Sequence, residues 1–376
     1  KELGTKEGFL IVTLFWVVLG TAGSLPFLLS PAVELSLTDA VFESLSGLTT
    51  TGATVISGLD DLPKSLLFYR QQLQWLGGMG IIVLAMALLP MLGIGGMQLY
   101  RAESPGPVKD NKLVPRLAET AKALWYIYLT LTIVCALAYW IVGMNLFDAI
   151  SHSFTTVAIG GFSTHDQSMG YFDNSAVEIV AIIFMFIAGI NFALHFTAWQ
   201  KRNISHYVKD PEFKFYALIL TTVSVVTVVV LYFSEIYTSA SDALIKGVFQ
   251  VVSFATTTGF ATADFNSWPL FLPYMLLYAA IIGACAGSTG GGMKVIRILL
   301  IFKQGFREVQ RLIHPKAGIP IKLGKTPVSD RIIESVWGFF AVYVMAYMAM
   351  LLALLATGLD IITAFSAVGA CINNLG

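Results

Sequence analysis

Seven stretches of this chain stay apolar for about the length a helix needs to cross a lipid bilayer, roughly 20 residues. They are Gly8–Leu29, Leu73–Leu92, Ala123–Val142, Ala176–Trp199, Phe213–Phe233, Pro273–Phe302 and Ser335–Thr357, the sixth interrupted by glycines. In hydrocarbon each backbone N–H and C=O must be satisfied inside the protein, so runs of this length are read as helices. Composition agrees. Charged residues make up 12% of the 376 and hydrophobic residues 56%, whereas a soluble chain carries about a quarter charged residues. So little polar surface cannot coat a water-soluble fold, and no nucleic-acid partner is expected. Cys135, Cys285 and Cys371 lie in apolar stretches without disulfide or zinc spacing and read as small buried hydrophobes. No cleavable signal peptide is evident, and from its start at Lys1 the chain is expected to be either a fragment or a processed product.

Between the long runs sit four shorter apolar pieces, Asp39–Thr51, Asp148–Gly160, Lys246–Thr258 and Asp360–Asn374. Pieces of about a dozen residues read as re-entrant segments. The connections lacking such a piece are Tyr100–Lys122, Lys201–Lys214 and Phe302–Arg331. With the N-terminus, Lys294 and Arg297 they hold all but three of the 23 lysines and arginines. That asymmetry places them in the cytoplasm, so the short pieces enter from outside. The outer connections are acidic. They either raise the local cation concentration or carry the charges left over by positive-inside sorting.

The short pieces repeat. Asp39-Ala-Val-Phe-Glu-Ser-Leu-Ser-Gly-Leu-Thr-Thr-Thr-Gly52 aligns without gaps on Asp148-Ala-Ile-Ser-His-Ser-Phe-Thr-Thr-Val-Ala-Ile-Gly-Gly161 and on Lys246-Gly-Val-Phe-Gln-Val-Val-Ser-Phe-Ala-Thr-Thr-Thr-Gly259. The turn glycines are 109 and 98 residues apart, each in the same topological slot. A weaker fourth copy runs from Phe365 to Gly376. Anchoring Phe365 on Phe42 sets Asn373 and Asn374 opposite Thr50 and Thr51. The expected fold is an all-α membrane protein of four pseudo-repeated span–pore helix–span units around a central, potassium-channel-like ion pore. The units are residues 1–99, 100–204, 205–326 and 327–376, the last calling for one more span beyond Gly376.

Such a unit suits a cation. A helix that stops inside the membrane presents carbonyls carrying roughly half a negative charge at its end. Asp39, Asp148 and Asp360 are expected to cap the outer ends. The glycine turns let carbonyls face inward, where a ring of them replaces the hydration shell of potassium. Each copy offers only a short Thr/Gly stretch, so few ion sites are expected. Asn374 either supplies a side-chain oxygen or merely turns the chain. Glu43, His152 and Gln250 share one position and either brace the turns or face outward. No catalytic constellation stands out, so the chain is not read as an enzyme.

The sixth run breaks where Gly283-Ala-Cys-Ala-Gly287-Ser-Thr-Gly290-Gly291-Gly292 packs five glycines into ten residues. The helix before it, Pro273–Gly283, reaches only about 16 Å, half a bilayer. A midplane loop that obstructs the pore is expected, with close helix packing through small residues as the competing reading. The gate residues are Gly283, Gly287, Ser288, Thr289, Gly290, Gly291, Gly292 and Lys294. Lys294 and Arg297 add an electrostatic barrier or meet a regulatory partner. The segment lacks the Gly-Lys-Ser/Thr ending of a phosphate-binding loop. His195 and the Gly77-Gly78-Met79-Gly80 run read as packing.

These turns, the Ala286-Gly-Ser-Thr-Gly-Gly-Gly-Met-Lys294 segment and Arg101-Ala-Glu-Ser-Pro-Gly-Pro107 resemble the Trk/Ktr/HKT potassium transporters. Asn373-Asn374-Leu375-Gly376 is similar to the TrkH-type membrane subunits. The resemblance implies potassium uptake through a gated, channel-like pore in the bacterial inner membrane, with filter loops facing outside and potassium as the transported substrate rather than a cofactor. It implies a homodimer in the lipid bilayer, a cytosolic nucleotide-binding TrkA-type regulatory ring, two further N-terminal helices and a final span. It maps the filter onto Thr50, Thr51, Gly52, Ile159, Gly160, Gly161, Thr257, Thr258, Gly259, Asn373 and Asn374, and the gating loop onto Gly283–Gly292. A sodium- or proton-coupled potassium symporter is the alternative, since broken helices serve both. The scarcity of ionisable residues in the spans counts against it.

Overall fold

A computed structural model describes residues 5–92, 113–269 and 271–376. The Arg101–Pro107 connection lies outside the described residues. Helices α1 (Thr5–Ala22) and α2 (Leu25–Leu29) are followed by a short helix α3 (Leu37–Leu48) and a long one, α4 (Lys64–Leu92). Next come α5 (Leu113–Ile141), the short α6 (Leu146–Ala158), α7 (Ser175–Ala188), α8 (Phe192–Gln200) and α9 (Ser205–Lys209). A third series holds α10 (Pro211–Phe233), the short α11 (Ala240–Thr256), α12 (Phe271–Ile282) and α13 (Val295–Ile313). The last is α14 (Asp330–Ala356) and the short α15 (Ile361–Ile372). A two-stranded antiparallel hairpin joins α13 to α14, pairing Lys322 with Pro327 and Leu323 with Thr326.

Among the described residues, Val12–Leu29, Thr120–Ile141, Pro211–Phe233 and Asp330–Ala356 are each long and apolar enough to cross a membrane. Their faces carry exposed Leu14, Val18, Leu137, Ile141, Leu218, Val229, Met345 and Leu352, the surface a helix offers to lipid. The second expected span lies within α4. The sixth is α12 and α13 with a loop between them, matching the glycine interruption.

The run Ala176–Trp199, expected as one span, is broken into two helices. Helices α7 and α8 meet at an 88° bend. Gly189 ends α7, where a β-carbon would strike the Tyr216 hydroxyl. Asn191 opens α8 by accepting from the Ala193 amide at 2.9 Å. The exposed backbone groups find partners across the break: Cys285 N–H donates to Gly189 O and Phe192 N–H to Gly287 O, both at 3.0 Å. His195 lies 3.0 Å from Ile187 O and 2.8 Å from the Tyr207 hydroxyl, which makes it a brace for the bend.

Each short helix starts on a side-chain cap, which also revises an expectation. The caps are Ser36, Asn145, Ser239 and Asp360. Asp39 and Asp148 stand three residues inside their caps, in the reciprocal position where an acid bonds back to the capping residue. Ser36 Oγ donates to Asp39 at 2.7 Å, and Asn145 Nδ2 to Asp148 at 2.6 Å. Asp360 alone is itself a cap, accepting from the amides of Ile362 and Thr363 at 3.0 Å. Bonds from Thr363 hold its carboxyl below the ordinary value, because the ionised form is the better acceptor.

The core surrounds the short helices. Tyr128, Phe192, Tyr216, Phe249, Leu272 and Leu276 are fully buried between them and the spans. Gly77 and Gly78 let α4 lie directly on two short-helix ends: a β-carbon on Gly77 would strike Leu48 O, and one on Gly78 would come within 3.0 Å of Ala158. Cys135 and Cys285 are buried as expected, while Cys371 is exposed.

The three cations that lie apart from the basic connections are all engaged. Lys246 pairs with Glu178 at 2.5 Å, and Lys64 lies 5.3 Å from the Phe147 ring centre. Arg70 Nε donates to Glu43 Oε1 at 2.8 Å, with side-chain exposures of 1% and 0%. Its other nitrogens reach Ser163 O and Thr54 Oγ1, and the guanidinium stacks 4.3 Å from the Phe162 ring centre. Removing one member of a buried pair strands the other charge at a cost of about 3–5 kcal/mol. Arg70→Met and Glu43→Met are each expected to lower the unfolding temperature in detergent markedly. The double Glu43→Met/Arg70→Met variant should lose less than the sum; an additive loss would count against the pair as a unit.

Candidate functional site

All four short helices end in one backbone conformation. The residue after the last turn is left-handed in each: Thr50 (φ 58°), Ile159 (55°), Thr257 (66°) and Asn374 (55°). The next amide then reaches back five residues. Thr51 donates to Ser46 O at 2.8 Å, Gly160 to Thr155 O at 2.9 Å, Thr258 to Ser253 O at 2.7 Å and Leu375 to Ala370 O at 2.9 Å. This is the helix ending in which glycine usually takes the left-handed place. None of the four is glycine, and a left-handed residue with a β-carbon costs about 1–2 kcal/mol. Such strain is held only where the surroundings over-determine it. Two residues beyond the left-handed residue in the first three turns, Gly52, Gly161 and Gly259 have φ of 84°, 80° and 84°.

The same geometry resets the register of the fourth copy. Its left-handed residue is Asn374 and its five-residue bond starts at Leu375, so Asn374 stands opposite Thr50 and Gly376 opposite Gly52. The sequence alignment on Phe365 is thus one residue out. Asn373, aligned there with Thr50, instead matches Thr49 at the helix end.

The turns are brought together in a closed cycle. A β-carbon on Gly52 would collide with Gly160 O, and one on Gly161 with Thr258 O. One on Gly259 would lie 2.7 Å from Gly376 O, and one on Gly376 would collide with Gly52. First abuts second, second third, third fourth, and fourth first. Asn374 Nδ2 also closes the cycle by donating to Thr49 O at 2.8 Å.

Behind the turns lies a polar layer. Glu43, His152 and Gln250, equivalent in sequence, are all fully buried. Glu43 accepts from Thr54 Oγ1 and Val55 N, both at 3.0 Å. His152 Nε2 lies 3.0 Å from Ser163 Oγ, and Gln250 donates to Ala263 O at 3.1 Å. Each ties its helix to the strand of chain leaving the turn, so the bracing reading replaces outward polarity.

The glycine loop lies under the ends of the second, third and fourth short helices. Thr289 Oγ1 donates to Val157 O at 3.0 Å, Gly291 N to Thr257 Oγ1 at 2.6 Å and Gly292 N to Asn373 O at 3.1 Å. A β-carbon on Gly290 would come 2.6 Å from Thr256 O, and one on Gly291 would strike Asn373 O. Gly283, Gly287 and Gly292 are left-handed, and Ser288 and Thr289 are buried. Lys294, also left-handed at φ 76°, turns its amine back onto Gly290 O. Arg297 donates to Met293 O at 3.0 Å and stacks on Phe339. Both cations are thus occupied within the fold.

Sequence reasoning passed over four residues that shape this site: Glu212, which accepts from Ala286 N in the loop at 2.6 Å; Asn191 at the bend; Tyr343, whose hydroxyl donates to Asn373 at 3.0 Å; and Gln74. For Gln74 and Tyr343 the available signal was a polar group inside a long helix; Asn191 and Glu212, at helix starts, carried none.

Fold and site together define an all-α, multi-pass membrane transport protein built of span–half-helix–span repeats. The chain belongs to the TrkH family: the family model described as a cation transport protein matches residues 1–376. It is 60% identical over 376 residues to the Trk system potassium uptake protein TrkH of Halomonas elongata, covering 100% of this chain and 78% of that one. Identity to the TrkH of Escherichia coli K12 is 58% with the same coverages, and to TrkG of that strain 43%, covering 100% and 77%. The crystal structure of the potassium transporter TrkH from Vibrio parahaemolyticus superposes with a TM-score of 0.92 at 55% identity, over 100% of this chain and 77% of that one. These relatives are transporters, and the chain is not an enzyme.

Gly161→Ala places a β-carbon at φ 80° against a backbone carbonyl that cannot step aside. Rubidium uptake by reconstituted protein is expected to fall to background while the variant still elutes as a folded species. Wild-type uptake would show that the turns do not meet closely.

Proposed function

We propose that this chain is the membrane subunit of a Trk-type potassium uptake system and that its four turns form a selectivity filter. The observation that carries the reading is the closed cycle in which each turn glycine abuts the next turn. Four helix ends, each with roughly half a negative charge, converge there. Their turn carbonyls stand in for water around an alkali cation. The ligating backbone belongs to Thr50–Gly52, Ile159–Gly161, Thr257–Gly259 and Asn374–Gly376. Irregular backbone at membrane depth is tolerated where it lines water or is buried in protein, and these turns satisfy that condition.

The loop Gly283–Lys294 is the gate in this reading. Its N–H and O–H donors sit against the same helix ends that attract a cation. Opening requires Thr289, Gly291 and Gly292 to release Val157, Thr257 and Asn373. Two copies of the chain form a dimer in the bacterial inner membrane, filter side outward, with a TrkA-type nucleotide-binding ring on the inner face. The relatives' shared name, a Trk system, supports an assembly of several components. Of the buried acids among the described residues, Glu43 and Glu178 are in salt bridges, Asp148 accepts from Thr164 Oγ1 and Glu212 from the Ala286 amide; this engagement favours a pore over proton-coupled symport.

Full-length protein in liposomes is expected to accumulate rubidium down its own gradient with no other ion gradient imposed. Strict dependence on sodium or protons would establish the symporter instead. Deleting Gly287–Gly292 is expected to raise that flux several-fold; unchanged flux in a folded variant would remove the gate. Gly259→Ser pushes a side chain toward Gly376 O and should lower the preference for rubidium over sodium.

A further inference from the structure

The four turns are alike in backbone but not in what holds them. In the first, Thr51 Oγ1 and Thr49 Oγ1 are 2.8 Å apart, and Thr49 Oγ1 donates to Leu45 O at 2.7 Å. The third repeats this: Thr258 and Thr256 hydroxyls lie 2.8 Å apart, and Thr256 donates to Val252 O at 2.6 Å. A second staple follows. Ser46 Oγ donates to Ala53 O at 2.5 Å and Ser253 Oγ to Phe260 O at 2.7 Å, each gripping the residue after the turn glycine. The fourth turn substitutes Asn373, which donates to Gly369 O at 2.6 Å and accepts from Tyr343.

The second turn has neither hydroxyl. Ala158 and Gly160 stand where the threonines do, and Thr155, in the serine position, bonds back to His152 O at 3.2 Å. Its hold comes from outside its own repeat. Gln74, on α4 and fully buried, donates through Nε2 to Gly160 O at 2.5 Å and accepts from Phe162 N at 3.0 Å. One amide thus grips both neighbours of Gly161. It also occupies the volume a threonine at 160 would fill, since a β-carbon there would run into the Gln74 amide. Glycine at 160 and glutamine at 74 are two halves of one solution.

We propose that Gln74 is a positioning residue for ion selectivity, a side-chain splint that holds the second turn as paired hydroxyls hold the first and third. The inference rests on the filter reading above and deepens it. A carbonyl ring discriminates among alkali cations through the spacing and field of its oxygens. A carbonyl that accepts an amide proton is fixed in direction, whereas a freed one swings toward smaller, more strongly hydrated ions. Two hydrogen bonds to one side chain restrain both sides of Gly161.

The test compares rubidium and sodium uptake by full-length protein in liposomes. Gln74→Leu keeps the volume and removes the amide. It is expected to lower the rubidium-to-sodium ratio about tenfold, equivalent to ~1.4 kcal/mol, chiefly by raising sodium uptake. A second variant, Gln74→Ala with Ala158→Thr and Gly160→Thr, builds the hydroxyl pair into the vacated space and should return the ratio to within about threefold of wild type, ~0.6 kcal/mol. An unchanged ratio in Gln74→Leu, or a loss the threonine pair does not restore, overturns the proposal. If Gln74→Leu does not fold, the threonine variant decides alone by the same ratio. Should wild type prove to need a second ion, the pore reading fails by itself, and Gln74 is judged by the same ratios measured with that ion present.

Discussion

Four short pieces of non-helical backbone meet deep in this protein, and every amide in them needs a partner that water does not supply. An unpaired polar group in an apolar setting costs several kcal/mol. The fold answers this by ending each short helix on a bond that reaches back five residues and by fitting each turn glycine against the next turn's backbone. The left-handed Thr50, Ile159, Thr257 and Asn374 are the strain this arrangement accepts. Such conformations survive only where neighbours leave no alternative, and here each turn is the wall against which another is set.

The long helices serve that centre. Helix α4 approaches closely because Gly77 and Gly78 remove side chains from its contact face, and it delivers Arg70 and Gln74 to the chain leaving the first and second turns. The bend between α7 and α8 looks like a defect when read alone. Its free groups are completed by Cys285 and Gly287 of the glycine loop, so the break and the loop are one structure. Flexibility in such a loop is bounded: Glu212, Thr257, Val157 and Asn373 all hold it, and movement has to release them together.

Much of this was legible in the residues. The apolar runs, the re-entrant pieces and the identical Thr-Thr-Thr-Gly turns gave the architecture, because burial in lipid forces a long-period signal that composition cannot disguise. The glycines at 283, 287 and 290–292 located the break in the sixth span. The fourth copy was misplaced by one residue because Phe365 was matched to Phe42, whereas the cap at Asp360 and the left-handed Asn374 set the spacing. The bend at Gly189–Asn191 was missed because a Gly-Ile-Asn step inside an apolar run has no strong signature.

By itself the sequence determined a membrane-embedded helical protein of repeated units, since hydrophobic length and repetition are properties of the chain read along one dimension. Tertiary structure alone decided which side chain steadies which turn. Glu43 finds Arg70 27 residues on, Gln74 finds Gly160 86 residues on, and Asn374 reaches Thr49 across 325. The last two pairs join different repeats, and none of the three shares a local pattern. Buried polar groups take whatever donor or acceptor the packing brings within about 3 Å, and only the assembled fold fixes which one that is.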